Sequence, residues 1–249
     1  MRARLFVTCL VDLLRPSVGF AALRLLEQSG CKVVVPRAQT CCGQPAYNAG
    51  RRRDAKALAK AVIRDFEDCD AVVAPSGSCA AMLRLHYPAL LADERRWAQR
   101  ARDFAARCHE LVSFLVTVRG MTSVAARCAG TAAYHDSCSA LRELGVRDEP
   151  RRLLASVEGL SLREIADAQC CGFGGAFCVK YPEIATRIAR DKLHAAKRCG
   201  ADMILSADLG CLLHLAGTAS REGVNISCRH VAEVLAGDSG VPPIGGDKT

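Results

Sequence analysis

Two adjacent cysteines followed by glycine occur twice in this chain of 249 residues, at positions 41–43 and again at 170–172. A single cysteine precedes each pair with 31 residues between them, Cys9 in the first case and Cys138 in the second. A repeat that keeps both its motif and its spacing is hard to explain as chance. It predicts two copies of one fold, each carrying the same kind of site.

A third cysteine element follows each pair, Cys79 after 36 residues and Cys211 after 39. The repeat therefore defines two sets of four thiols: Cys9, Cys41, Cys42 and Cys79, then Cys138, Cys170, Cys171 and Cys211. Thiolates are soft ligands that select iron-sulfur clusters, Zn²⁺ or Cu(I). Contiguous thiolates chelate one small tetrahedral ion poorly but can bind different irons of a cluster. The pattern favours clusters, with a zinc-stabilised, non-catalytic scaffold as the alternative.

The cysteine elements all follow short apolar runs that are typical of strands. Residues 4–7, 32–35 and 71–74 give three such runs in the first half, and 131–134, 160–165 and 203–205 give three in the second. Amphipathic segments, among them Pro16–Gln28 and residues 182–199, lie between the runs. Because right-handed crossovers bring the carboxyl ends of parallel strands to one edge, the distant cysteines should converge there. The prediction is an α/β protein of two pseudo-symmetric Rossmann-like halves, each a mainly parallel sheet flanked by helices.

The domain limits follow from the same pattern. Residues 1–120 are predicted to form the first half and 121–236 the second, with 237–249 as a flexible tail rich in glycine, proline and aspartate. Residues 80–115 are predicted to be a helical connection that is broken at Pro88.

The composition limits the compartment and the kinds of partner that are expected for this chain. The fifteen cysteines, the absence of a signal cleavage site and the lack of an apolar run long enough to span a bilayer predict a cytoplasmic chain with reduced thiols and no transmembrane segment. The net charge of +8 is scattered and lacks interleaved aromatic residues, so nucleic acid is not an expected partner. Solvated helix faces, or docking of an acidic partner, account for the basic residues.

Glycines and polar residues beside the thiols are the next candidates. Backbone N–H groups at four glycines are predicted to approach the sulfurs: Gly43, Gly77, Gly172 and Gly210. His135, Asp136 and His214 are tentative catalytic residues for proton transfer or for hydrogen bonds to a cluster, with helix capping or packing as the alternative. Most of the other seven cysteines are expected to be packed in the core, and Cys178 is the exception proposed for a ligand or redox role.

Several blocks of sequence identify a family. Residues 6–12, 39–45, 74–79, 135–138 and 170–175 resemble the characteristic blocks of the cysteine-rich CCG-domain proteins, which have distant relatives among the heterodisulfide reductases. The resemblance spans residues 3–236. It implies an iron-sulfur oxidoreductase component with a 4Fe-4S cluster in the first half and a cluster or zinc in the second. It also implies a complex that oxidises L-lactate to pyruvate, or another 2-hydroxy acid such as glycolate.

Two departures from the family pattern limit that expectation. The heterodisulfide reductase relatives end each motif with Cys-x-x-Cys, whereas Met82 and His214 hold the last position here. Ser139 stands where a histidine is common in the family. Four thiols per site are therefore expected.

Since no flavin or nicotinamide motif is present, turnover is expected to require partner subunits, including a ferredoxin-type iron-sulfur protein.

Overall fold

The computed structural model describes residues 1–165, 170–238 and 240–246. Two four-stranded sheets organise these residues, and every strand pairing within them is parallel. The first sheet has the order β2-β1-β3-β4, and the second has the matching order β6-β5-β7-β8. The strands are β1 Arg2–Leu5, β2 Lys32–Val34, β3 Ala71–Ala74, β4 Cys108–Glu110, β5 Arg127–Tyr134, β6 Glu158–Arg163, β7 Met203–Ser206 and β8 Ser227–His230.

Helices connect the strands and cover the sheets. In the first half they are α1 Cys9–Leu14, α2 Pro16–Gln28, α3 Gln44–Asn48, α4 Arg52–Asp65, α5 Gly77–Ala81, α6 Tyr87–Leu90, α7 Ala98–Ala105 and α8 Leu111–Ser113. In the second half they are α9 Asp148–Leu154, α10 Phe177–Lys180, α11 Pro182–Arg198, α12 Leu209–Glu222 and α13 Val231–Leu235. Three π-helical turns extend this set, at Met82–His86, Phe114–Val118 and Ser139–Glu143.

The strand order explains where the site lies. β1 pairs with β2 on one side and with β3 on the other, so the chain changes direction across the sheet between β1 and β3. β5 occupies the same place between β6 and β7. Crevices at the carboxyl edge beside such a reversal are where α/β sheets bind ligands. The prediction of two pseudo-symmetric α/β halves is confirmed.

The two halves share one interior. A single cluster of buried apolar side chains includes Leu25 and Leu26 of α2 together with Val231 and Leu235 of α13. At the same contact Arg15 donates from Nε and Nη2 to the fully buried carboxylate of Glu233, at 2.8 and 3.0 Å. The burial of this ion pair means that the halves pack as one body around their pseudo-symmetric contact.

The predicted helical connection over residues 80–115 is wrong in its second part. β4 occupies Cys108–Glu110 at the edge of the first sheet, and α6 and α7 precede it as separate helices. Pro88 does not break a helix. It lies in the first turn of α6, where proline's missing N–H is tolerated. The strand escaped prediction because its three residues include a histidine and a glutamate, although Cys108 is fully buried.

The described part of the predicted tail packs against the second sheet. Ile244 is buried and forms an antiparallel bridge to Cys228, donating its N–H to that carbonyl at 2.8 Å. Ser239 and residues 247–249 of the tail lie outside the described residues. The division at residue 120 stays a prediction. Among the described helices, none combines the length and the apolar character needed to cross a membrane.

Candidate metal centres

The first set of thiols converges at the carboxyl edge of the first sheet. Cys9 begins α1, and the Cys9 and Cys41 sulfurs lie 3.7 Å apart. Cys42 approaches Cys79 in α5, with 3.5 Å between their sulfurs. Helix caps fix two of these positions, since Thr8 Oγ1 accepts the Val11 N–H at the start of α1 and Ser76 Oγ accepts the Cys79 N–H at the start of α5. The structure therefore brings together the four thiols of the first set.

The second set repeats this arrangement. Hydrogen bonding from the Cys138 thiol, and then from the Cys171 thiol, holds the pKa of Cys170 well below its usual value. A hydrogen bond to Cys170 and a second to Cys211 raise the pKa of Cys171. Four thiols at such spacing cannot all ionise without a cation to balance them. Both sets thus have the donor chemistry of a metal centre.

Backbone N–H groups reach the sulfurs in both halves. The N–H of Gly43 points to the Cys41 sulfur at 3.4 Å, and the N–H of Gly172 points to the Cys170 sulfur at 3.3 Å. Both glycines adopt positive φ, 83° and 86°. The N–H of Phe173 approaches the Cys171 sulfur at 3.4 Å, a contact that sequence reasoning did not foresee. Such contacts stabilise negative charge on thiolates and tune the metal that they bind.

Gly77 and Gly210 serve close packing. A Cβ on Gly77 would lie 2.6 Å from the Cβ of Ala140, across the contact between the halves. A Cβ on Gly210 would lie 2.5 Å from the ring of Phe173. Among the residues that the structure describes, neither glycine donates its N–H to a sulfur. Their role as backbone donors stays a prediction.

His135 lies directly at the second centre. Its side chain is fully buried, and one of its ring nitrogens lies with the sulfurs of Cys171 and Cys211 in a group whose atoms are all within 4.8 Å of one another. Neither ring nitrogen has a hydrogen-bond partner among the described residues. Burial, reinforced by the nearby Lys192, lowers the pKa of His135 to about 3, so the ring is neutral.

Asp136, the neighbour of His135, is held by an ion pair. Arg151 donates from two guanidinium nitrogens to its carboxylate, at 3.0 and 2.8 Å, and also binds Glu164 at 2.7 Å. Helix capping is the alternative role for His135 and Asp136, but Ser137 provides the cap of the following helical turn, because its Oγ accepts the N–H of Ala140. Asp136 is therefore engaged with Arg151 beside the second centre.

His214 contacts residues around the second cysteine pair. Its Nε2 lies 3.2 Å from the carbonyl oxygen of Ala185, and its ring centroid is 6.4 Å from that of Phe173. The equivalent residue of the first half, Met82, is fully buried. His214 thus packs on the loop that carries the cysteine pair.

The remaining cysteines are dispersed through the fold. Five of the seven are buried: Cys31, Cys69, Cys108, Cys128 and Cys228. Cys178 is half-buried, and its thiol donates to the carbonyl oxygen of Gly175 at 3.1 Å. Its ligand or redox role stays a prediction.

Asp208 is a buried residue near the cysteines that the sequence alone does not single out. Its buried carboxylate accepts the hydroxyls of Ser76 and Ser78, each at 2.6 Å, and the N–H of Ser78 at 3.2 Å. It therefore connects the last cysteine loops of the two halves. In the repeat, Asp208 stands where the first half has Ser76.

Comparisons with known proteins agree with this geometry. The model of the cysteine-rich CCG domain matches residues 3–84 and 132–216, which contain both sets of thiols. The chain is 48% identical to "Lactate utilization protein A" of Geobacillus kaustophilus and 44% identical to the protein of that name from Bacillus cytotoxicus. Each match covers 94% of this chain and 98% of the relative.

A solved structure supports the fold alone. A hypothetical protein from Helicobacter pylori superposes with a TM-score of 0.59 at 10% identity, over 100% of this chain and 49% of that one. The chain therefore corresponds to about half of that protein.

Proposed function

This chain belongs to the cysteine-rich CCG-domain family, and we propose that it is an iron-sulfur redox subunit of a complex that oxidises L-lactate to pyruvate. One observation supports the redox role above the others: two sets of four thiols occupy equivalent sheet edges, and in each set two of the thiols are contiguous. The names of the relatives support lactate as the substrate.

The residues fit an iron-sulfur group. Cys9, Cys41, Cys42 and Cys79 would hold a 4Fe-4S cluster in the first half, and Cys138, Cys170, Cys171 and Cys211 would hold a cluster or zinc in the second. A bound cluster supplies one-electron transfer. The N–H groups of Gly43, Gly172 and Phe173 stabilise the thiolate charge, and this stabilisation favours the reduced state.

Burial differs among the sulfur ligands of the first centre. Cys42 is 3% exposed, while Cys9 lies at the surface. Cys42 therefore shields one side of the centre from water, and Cys9 brings the other side to the surface. This asymmetry supports electron exchange with a partner on the Cys9 side.

Lactate oxidation removes two electrons and two protons, and this chain carries no flavin or nicotinamide motif to accept a hydride. We therefore infer that partner subunits complete the reaction, among them a ferredoxin-type iron-sulfur protein. The role of this chain is to relay electrons. His135, Asp136 and His214 stay candidates for proton handling near the second centre.

The first test is the metal itself. Anaerobically purified protein should be brown and should contain iron and acid-labile sulfide. A colourless protein with stoichiometric zinc alone would overturn the redox role and favour the zinc-stabilised scaffold.

The second test concerns activity. Metal-loaded protein is assayed with L-lactate and an artificial electron acceptor, first alone and then with the candidate partners. Turnover is expected only in the mixture. Robust turnover by the isolated chain would contradict the relay role.

A further inference from the structure

His135 occupies the place that Phe6 holds in the first half. Each residue follows the central strand of its sheet and precedes the first cysteine of its set by three positions. The backbone contacts match, because the N–H of Phe6 binds Val73 at 2.8 Å and that of His135 binds Leu205 at 2.7 Å. Both side chains are fully buried. The same backbone position thus carries a phenyl ring in the first half and an imidazole in the second.

The two rings have different surroundings. Phe6 packs against Phe66, with 5.4 Å between the ring centroids, which is a sufficient reason for a buried phenyl group. His135 buries two polar nitrogens without a hydrogen-bond partner among the described residues. Leaving a buried polar group without a hydrogen-bond partner destabilises the folded protein. An imidazole in this position therefore points to a partner that is not among the protein atoms that the structure describes.

The sulfurs of Cys171 and Cys211 identify that partner by its chemistry. An imidazole nitrogen and two thiols whose ligand atoms all lie within 4.8 Å of one another form a nitrogen and sulfur donor set. Iron in a cluster and Zn²⁺ both accept such a set. The other histidine of this region fits less well, because the Nε2 of His214 already faces the carbonyl oxygen of Ala185.

We propose that His135 is a protein ligand of the second metal centre, which then has a mixed nitrogen and sulfur donor set, while the first centre is ligated by sulfur alone. This inference rests on the proposed function only in requiring that the second centre binds metal. A neutral imidazole ligand adds no negative charge to the centre. In Rieske centres, where imidazole replaces thiolate, the potential is higher than in all-thiolate ferredoxins.

The experiment detects nitrogen on the metal of the full-length, anaerobically loaded protein. If the second centre holds iron, pulsed EPR of the reduced protein should show strong ¹⁴N hyperfine coupling. If it holds zinc, absorption at the zinc edge should show the scattering pattern of an imidazole ring. If the second centre holds iron, selective ¹⁵N labelling of histidine should replace the ¹⁴N coupling by a ¹⁵N coupling, and this test needs no amino-acid substitution.

Matched variants assign the nitrogen. His135→Phe copies the first half and should abolish the imidazole signal, and it should weaken retention of the second metal against a chelator by at least about tenfold. His214→Phe should keep the signal. A signal that survives in His135→Phe, or a wild-type coupling weak enough for a hydrogen bond only, would overturn the inference. A second half that binds no metal would overturn the inference, whereas the proposed redox role fails only if the protein holds no iron-sulfur cluster. Zinc with an imidazole signal in a protein without iron would support the inference and overturn the redox role, so the two failures are distinguishable.

Discussion

The two halves share their strand order and the placement of their thiols, yet they differ in the side chains that surround those thiols. Three pairs of differing residues occupy equivalent positions near the cysteines of the repeat: Phe6 and His135, Met82 and His214, and Ser76 and Asp208. A fourth pair, Glu110 and His230, ends the fourth strand of each sheet. The shared strand order of the two sheets therefore positions the sulfurs in both halves. The neighbouring side chains then give each centre its own chemistry.

The largest expected effect tests whether the centres are independent. Cys42→Ser should remove metal from the first half alone, and Cys171→Ser should remove it from the second half alone, because each sulfur faces only its own set. Metal analysis and the visible spectrum measure the outcome. Cys31→Ser is the control, since Cys31 is a buried cysteine outside both sets.

Loss of both metals from either single variant would contradict independence. Retention of all metal in Cys42→Ser, combined with loss in Cys31→Ser, would contradict the ligand assignment itself.

Much of this comparison was visible in the sequence. The spacing of the cysteines predicted the duplication, and Pro16–Gln28 was predicted with its observed limits. β1 lies two residues earlier than predicted, at Arg2–Leu5, because the apolar residues that follow it belong to the turn before Cys9. The polar strand β4 was missed, because an edge strand of three residues carries too little periodicity to detect.

Contacts between the halves were beyond sequence reasoning. Nothing local to Asp208 indicates that it accepts hydrogen bonds from Ser76 and Ser78, which are 132 and 130 residues away. The burial of His135 against two sulfurs also depends on how the loops meet in three dimensions. Residue identity indicated a candidate, and only the tertiary structure distinguished His135 from His214.

A second prediction sharpens the comparison at the glycines of the two motifs. Gly172→Ala should destabilise the protein by about 2–5 kcal/mol, since positive φ costs roughly 1–2 kcal/mol and overlap adds about 1–3. The new Cβ would lie 2.4 Å from the carbonyl oxygen of Ala185. Gly43→Ala incurs only the cost of positive φ, because its Cβ would lie 3.4 Å from Leu58.

Denaturation midpoints of the metal-loaded variants, followed by circular dichroism, test this difference. Equal destabilisation by the two substitutions would show that α11 yields to the added methyl group. Gly172 would then be no more constrained than Gly43.

A third prediction concerns the contact between the halves. Asp208→Ala should cost about 2–3 kcal/mol in the free energy of unfolding, because it leaves the buried hydroxyl of Ser76 and the partly buried hydroxyl of Ser78 without their carboxylate acceptor. The control is Asp68→Ala, which removes an exposed ion pair with Arg2 and should leave the free energy of unfolding nearly unchanged. Chemical denaturation measures both. Similar small effects for the two variants would mean that Asp208 does not hold the halves together.

The smallest expected effect is a pH dependence of stability. It concerns the residues that end the fourth strand of each sheet and cap the helix after it, Glu110 in the first half and His230 in the second. His230 is satisfied, because its Nδ1 accepts the Ala232 N–H and its Nε2 lies 2.9 Å from the Ala207 carbonyl oxygen. Glu110 accepts the Ser113 N–H through Oε2, at 2.8 Å, while Oε1 has no partner among the described residues. Burial raises the pKa of Glu110 to about 7.

Other groups act on Glu110 in both directions. The backbone N–H groups of Ser113 and Val112 oppose the rise in its pKa, while the carboxylates of Asp208 and Glu149 add to it. In the unfolded chain the pKa of the carboxyl returns to its ordinary value of 4.5. Between these two pKa values the native state binds more protons than the unfolded state, so stability falls as pH rises from about 4.5 to about 7 and is then level.

Glu110→Gln isolates this contribution, because all other titrating groups are unchanged. Between pH 6 and pH 8 the wild type should lose about 1.4 kcal/mol of stability relative to the variant, the equivalent of one pKa unit. Denaturation of both metal-loaded proteins at a series of pH values gives the difference directly. If the two pH profiles are parallel, Glu110 is ionised in the native state below pH 6. Its buried carboxylate would then be stabilised as well as the satisfied His230, and the two fourth-strand caps would be equivalent in energy despite their different side chains.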